Sequence, residues 1–213
     1  MLPIYVTTCD SYRHLLPEFC ERFNTYWDSS RHVKIFGFLP PEEQLPDNFE
    51  FVSLGEDDGG WTGQMIKILE RETAPYFIRL SEEFFISENV NMDLLANLEF
   101  MATMETADRI GLQTVHEGYD ECSGRVGDTE VFGLSKNADY LCSLEASILS
   151  RETLLQTLDA GMHIWEAEVD LSKKFRELGA SVFVTESRII TYKDAMRRGM
   201  SRAEGYEDIG EPV

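Results

Sequence analysis

Apolar positions along the chain alternate between short continuous runs and stripes that repeat at helical spacing, and this alternation predicts strands and helices in turn. Pro3 to Thr8 is the first run, and Leu15, Leu16, Phe19, Phe23 and Trp27 form the apolar face of the helix that follows. Val33 to Phe38 and Phe49 to Leu54 predict two more strands, separated by a loop of turn formers from Pro40 to Asn48. Trp61, Met65, Ile68 and Leu69 mark a second helix, which Pro75 separates from a strand at Tyr76 to Leu80. Leu94, Leu95, Leu98 and Met101 mark a third helix before a strand at Arg109 to Gln113. Val115 to Ala138 is polar and glycine-containing, and predicts irregular structure with one short strand at Glu130 to Leu134.

The last third predicts a strand over Leu141 to Leu149, helices over Arg151 to Asp159 and Ile164 to Leu178, and a strand over Ser181 to Thr185. Gly179 stands where a helix C-terminal cap belongs. Strands alternating with helices predict an α/β fold, a mainly parallel sheet flanked by helices in a single domain. That domain is expected over residues 1–192, with a partly flexible acidic tail over 193–213.

Composition narrows the function classes. The net charge of −20 repels a nucleic-acid backbone and argues against nucleic acid as a partner. It equally repels a phosphate-bearing small molecule, so such a ligand needs a bound cation or a local basic cluster. No window approaches the roughly 20 apolar residues of a membrane span. Met1 leads straight into an apolar strand without a basic leader, and cytoplasmic residence is expected. Cys9, Cys20, Cys122 and Cys142 show neither metal-ligand spacing nor a disulfide framework, and read as buried free thiols.

Two acidic sites stand out. Glu82 and Glu83 follow directly on the Tyr76 strand, placing two carboxylates at the carboxyl edge of the sheet, where open α/β folds bind ligands. On the late helix, Ile164, Glu168, Leu171, Phe175 and Leu178 share one face, whereas Glu166, Asp170, Lys173 and Glu177 share the solvated one. Glu168 therefore faces inward, a partly desolvated carboxylate suited to general base catalysis, or else to capping or to pairing with a buried arginine. Lys193, Arg197, Arg198 and Arg202 form a basic cluster that is informative in so acidic a chain.

The run from Trp165 to Glu186, WEAEVDLSKKFRELGASVFVTE, resembles the carboxyl-terminal signature of GT-A fold glycosyltransferases of the large inverting family 2 kind. In that family an acidic pair precedes such a segment, and its second acid is the catalytic base. The resemblance selects Glu168 for that role, while Ala167 stands where the first acid belongs. It further implies that Glu82 and Glu83, followed by Phe84 and Phe85, occupy the place of the Asp-rich motif that holds Mn²⁺ or Mg²⁺. Tyr192 lies where several relatives carry a metal-binding histidine.

By the same resemblance, the opening run with Thr7, Thr8, Asp10 and Tyr12, together with Asp57, Asp58, Arg197 and Arg198, is expected to bind a nucleotide-sugar donor. His116, Glu117, Trp165 and Glu166 are expected near a glycan or other hydroxyl acceptor, the rings burying the apolar face of a sugar. The implied activity is an inverting, nucleotide-sugar-dependent glycosyl transfer of the kind used in polysaccharide biosynthesis. The departures at Glu82, Glu83, Ala167 and Tyr192 support an alternative, a degenerate domain that binds a nucleotide or a protein without turnover. A nucleotidyltransferase is a further possibility, although the stretch from Thr7 to Arg13 lacks the glycine-rich phosphate loop of that group.

Overall fold

The structure is a computed structural model that describes residues 1–213 apart from 58, 105, 115–118, 198–199 and 202–213, with the side chains of 114, 119–122, 197 and 200–201 also outside the described set. Strands β1 (Ile4–Thr7), β2 (Val33–Gly37), β3 (Phe49–Ser53) and β4 (Tyr76–Ser81) run parallel. Helices α1 (Leu16–Tyr26) and α2 (Gly60–Arg71) lie between them in sequence. A short strand β5 (Phe84–Ile86) and helix α3 (Met92–Met104) lead to β6 (Arg109–Thr114), β7 (Tyr119–Val126), β8 (Thr129–Leu134) and β9 (Ser147–Ser150). Helices α4 (Arg151–Thr157) and α5 (Ile164–Leu178) precede β10 (Val182–Thr185), β11 (Tyr192–Asp194), β12 (Met196–Arg197) and β13 (Met200–Ser201).

The main sheet has nine strands in the order β3-β2-β1-β4-β9-β6-β10-β8-β7. All point one way except β8 and β9, which run against their neighbours. Strand alternation divides the core. Ile4, Val6, Ile78 and Leu80 face α1 and α3, where Phe19, Phe23 and Leu95 are buried. Tyr5 and Phe77 face α2, α4 and α5, where Ile68, Leu154, Leu171 and Phe175 are buried. Gly179 ends α5 at φ 74°, and the Ala180 N–H returns to the Phe175 carbonyl at 2.9 Å, the cap expected from the sequence.

Three expectations need correction. Tyr119–Val126 and Thr129–Leu134 form a hairpin, β7 and β8, turning at Gly127 with φ 59°. Its first strand, YDECSGRV, lies at the sheet edge and lacks the apolar alternation that reveals a half-buried strand. Conversely, Leu141 to Ala146 is buried but is not strand, and only Ser147–Ser150 pairs as β9. The apolar run marked burial rather than a ladder. The thiols divide too, because Cys20 and Cys142 are buried whereas Cys9 is exposed.

A two-stranded antiparallel ribbon of β5 and β11 crosses the carboxyl end of β4, with Asp194 opposite Phe84 and Tyr192 opposite Ile86. β11 spans Tyr192–Asp194.

Candidate functional site

The acidic pair forms the turn between β4 and β5, and its two members differ sharply. Glu82 is 3% exposed and both its oxygens are engaged. Oε1 accepts from the Cys9 N–H at 3.1 Å, and Oε2 accepts from the Ser81 hydroxyl at 2.8 Å. The Glu82 N–H donates to the Thr7 carbonyl at 3.3 Å, so this residue ties the end of β1 to the end of β4. Burial raises its carboxyl above the ordinary range against those hydrogen bonds. Glu83 is only half-buried, and burial with the charges of Glu82 and Asp194 pushes it up to about 7. Asp194 reaches this position because the Ala195 N–H donates to the Glu83 carbonyl at 2.8 Å, beside the β5-β11 ribbon. The Tyr12 hydroxyl is raised by burial and by the charge of Glu83.

A buried cation lies beneath the pair. Arg79 of β4 is 1% exposed, with its guanidinium between the rings of Trp61 and Phe84, each 5.6 Å away. Its Nη1 donates to the Leu144 carbonyl, its Nη2 reaches the Thr7 hydroxyl at 3.4 Å, and its Nε has no partner among the described residues. Burial lowers its pKa, opposed by the charges of Tyr192, Glu83, Glu82 and Glu168.

Glu168 comes to this centre from α5. Its partly buried carboxylate accepts from the Leu144 N–H at 2.8 Å, and Ala167, Leu171 and Phe175 are buried beside it on the same helix. The start of α5 is held against the start of α2: the Met162 carbonyl accepts from the Thr62 N–H at 3.3 Å, and the Met162 N–H donates to the Thr62 hydroxyl at 2.9 Å. Gly60 makes that approach possible. At φ +61°, a Cβ there would stand 2.8 Å from the Met162 carbonyl oxygen. The carboxyl edge of β4 and one face of α5 thus supply three carboxylates, Glu82, Glu83 and Glu168, and the Arg79 guanidinium, with Arg79 and Glu168 joined through Leu144.

No family model matches the chain, and no curated protein matches it in sequence. Solved structures do match. S. aureus TarS 1–349 in complex with UDP-GlcNAc aligns over 97% of this chain and 61% of its own, at TM-score 0.56 and 14% identity. A second structure of TarS 1–349 aligns over 91% and 60%, at TM-score 0.59 and 12% identity. A CMP:2-keto-3-deoxy-manno-octonic acid synthetase complexed with CTP aligns over 91% of this chain and 92% of its own, at TM-score 0.54 and 10% identity. This chain has a GT-A-like nucleotide-diphospho-sugar transferase fold. It spans less than two thirds of the TarS 1–349 chains. The fold is shared by a protein seen with UDP-GlcNAc and a synthetase seen with CTP.

Within the GT-A-like fold the other expected residues scatter. Thr7 and Thr8 are buried at the end of β1, whereas Asp10 is exposed and accepts from the Leu39 N–H at 2.9 Å. Asp57 is exposed on the loop before α2. Trp165 is 71% exposed and lines a shallow groove with Glu166, Val169, Asp170 and Lys173. Glu166 is exposed, and its carboxylate caps α5 by accepting from the His163 N–H at 3.1 Å. Arg197 lies in β12, with its side chain outside the described set, and Asp58, His116, Glu117 and Arg198 lie outside the described residues.

Tyr192 is stacked on Phe84 at 4.1 Å, and its hydroxyl accepts from the Ala146 N–H at 3.4 Å, so it walls the site. Among the described residues no group of three or more histidine, cysteine or acidic side chains converges on one point. The sequence reading missed Arg79 and Asp194. The first had a signal, a lone cation inside the apolar run YFIRL, where a charge is costly to bury. The second had none until the ribbon brought it to the acid pair.

Proposed function

We propose that this chain binds a nucleotide-sugar at the carboxyl edge of its sheet and transfers the sugar to an acceptor hydroxyl with inversion. One observation supports the reading: the Leu144 carbonyl accepts from Arg79 of β4, the strand that leads into the acid pair, and the Leu144 N–H donates to Glu168, so one residue ties that strand to the proposed base. Glu168 removes the proton from the acceptor hydroxyl as its oxygen attacks the anomeric carbon, and the bond from that carbon to the nucleoside diphosphate breaks in the same displacement. Thr8, Asp10 and Tyr12 stand on the loop where the donor's nucleoside would lie. Trp165 offers an exposed ring for an acceptor glycan near the start of α5.

The donor set suits a hard divalent cation completed by substrate phosphates. Glu82 has both oxygens engaged within the protein, so Glu83 is the member of the pair that would hold Mn²⁺ or Mg²⁺. Burial first, and then the charges of Glu82 and Asp194, raise Glu83, and a cation there would offset the charge part. When bound, the ion supplies positive charge to the departing diphosphate.

Similarity along 92% of a CMP-sugar synthetase favours a second reading, nucleotidyl transfer with release of pyrophosphate. Incubation with nucleotide-sugars, and separately with nucleoside triphosphates and sugars, separates the readings. Nucleoside diphosphate released by the parent and not by Glu168→Gln supports glycosyl transfer, and pyrophosphate release supports the synthetase reading. Nucleotide binding without either product supports the degenerate-domain alternative.

A further inference from the structure

Residue 144 lies in the buried irregular segment before β9, where no strand ladder serves the main chain. Two buried arginines take that place. Arg79 of β4 donates to the Leu144 carbonyl, and Arg109 of β6, 2% exposed, donates through Nε to the Ser143 carbonyl at 3.0 Å. The Ser172 hydroxyl accepts from the Cys142 N–H at 3.0 Å and fixes the same segment to α5. Burying a guanidinium costs several kcal/mol unless charge partners and acceptors compensate it, so both are expensive ways to hold a loop.

The main-chain groups of Leu144 are committed in two directions. Its carbonyl accepts from Arg79, and its N–H donates to the Glu168 carboxylate at 2.8 Å. We infer that Arg79 is a positioning residue for Glu168 and acts through residue 144, which rests on Glu168 being the base of the proposed transfer. Arg79 is itself held against rotation by the Trp61 and Phe84 rings and by Thr7. Its position is therefore set by β1, α2 and β5, and it passes that setting on to the Glu168 oxygen. A lysine at this place carries the charge without the planar fork that reaches Leu144 and Thr7 together.

The test is a double-variant cycle read at the Leu144 amide in proton–nitrogen spectra of parent, Arg79→Met, Glu168→Gln and the double variant. In the parent, Glu168→Gln moves the Leu144 resonance, because a charged acceptor becomes neutral. With Arg79→Met already present, the same replacement is expected to move it by less than about a third as much, since the contact depends on the held carbonyl. An undiminished movement overturns the inference. Should Arg79→Met not give a native spectrum, Arg79→Lys takes its place with the same two outcomes.

Turnover gives an independent arm once a donor is found. Arg79→Lys is expected to lower kcat by at least about tenfold with the donor KM nearly unchanged, as misplacement of a base does. An unchanged kcat overturns the inference. A Glu168→Gln protein that keeps its turnover sinks the base assignment instead, while the amide cycle still decides whether Arg79 sets the Glu168 contact.

Discussion

The Cys9 N–H donates to the Glu82 carboxylate at 3.1 Å, and this bond closes the first loop of the fold on the acid pair. Glu82 is therefore a brace, and Glu83 is the acid that the proposed function assigns to the ligand. Glu82→Ala strands the buried Ser81 hydroxyl and takes the acceptor from the Cys9 N–H, and should cost about 2 kcal/mol. Glu83→Ala should cost under about 1 kcal/mol. Urea midpoints of the two variants measure the difference, and equal losses would contradict the division of roles.

Glu83 also sets a pH dependence. Its carboxyl moves from an ordinary 4.5 up to about 7 in the native state, because burial and the charges of Glu82 and Asp194 disfavour ionisation. Between those values the native protein binds more protons than the unfolded chain, so the contribution of Glu83 to stability falls as pH rises through the window. Glu83→Gln should flatten that slope and be the more stable protein above pH 7. Thermal unfolding from pH 5 to 8 reads this directly, and a parent-like slope in the variant would refute it.

Gly60 carries the approach of α2 to the loop before α5. With φ +61° and the Met162 carbonyl 2.8 Å from where a Cβ would stand, Gly60→Ala should cost at least about 1 to 2 kcal/mol. At Gly63, where φ is not positive and a Cβ would meet nothing within 4 Å, alanine should be neutral or stabilising by up to about 1 kcal/mol. Denaturant titration of the pair tests it, and a tolerated Gly60→Ala would mean that the two helix starts are not clamped.

The exposed ring at the start of α5 should matter to ligand and not to fold. Trp165→Ala removes a side chain that is 71% exposed, so stability should stay within about 0.5 kcal/mol of the parent. The acceptor KM should rise while the donor KM holds. A drop in melting temperature with unchanged acceptor kinetics would make Trp165 a packing residue.

The parts of this molecule that could be read from the sequence are those whose burial is one-sided. The stripes of α1, α2 and α5 and the parallel strands β1 to β4 announce themselves, because each presents apolar groups in a fixed period to a layer above or below. The inward setting of Glu168 followed from the same periodicity, and the structure adds the Leu144 N–H as its partner. The edge hairpin β7-β8 was hidden by polar residues along β7, and the 141–146 segment misled because buried irregular chain is as apolar as a strand. Glu82 and Glu83 read as equivalents, and only the fold of Cys9 over one of them separates brace from ligand. Asp194 was invisible for the opposite reason, since its partner lies across a ribbon joining residues more than a hundred positions apart.

The central proposal is that this edge of the sheet binds a nucleotide-sugar and that Glu83 would hold a divalent cation there. It is tested most directly by thermal shift of parent and Glu83→Gln against UDP-, GDP-, CMP- and dTDP-linked ligands, each with Mn²⁺, with Mg²⁺ and with chelator. A ligand at about 100 times its dissociation constant adds about 2.7 kcal/mol of apparent stability, well within detection. The account predicts that one nucleotide class stabilises the parent only with metal, and that Glu83→Gln loses the response. A chelator-insensitive response would contradict the metal assignment, and no response to any nucleotide would contradict the claim itself.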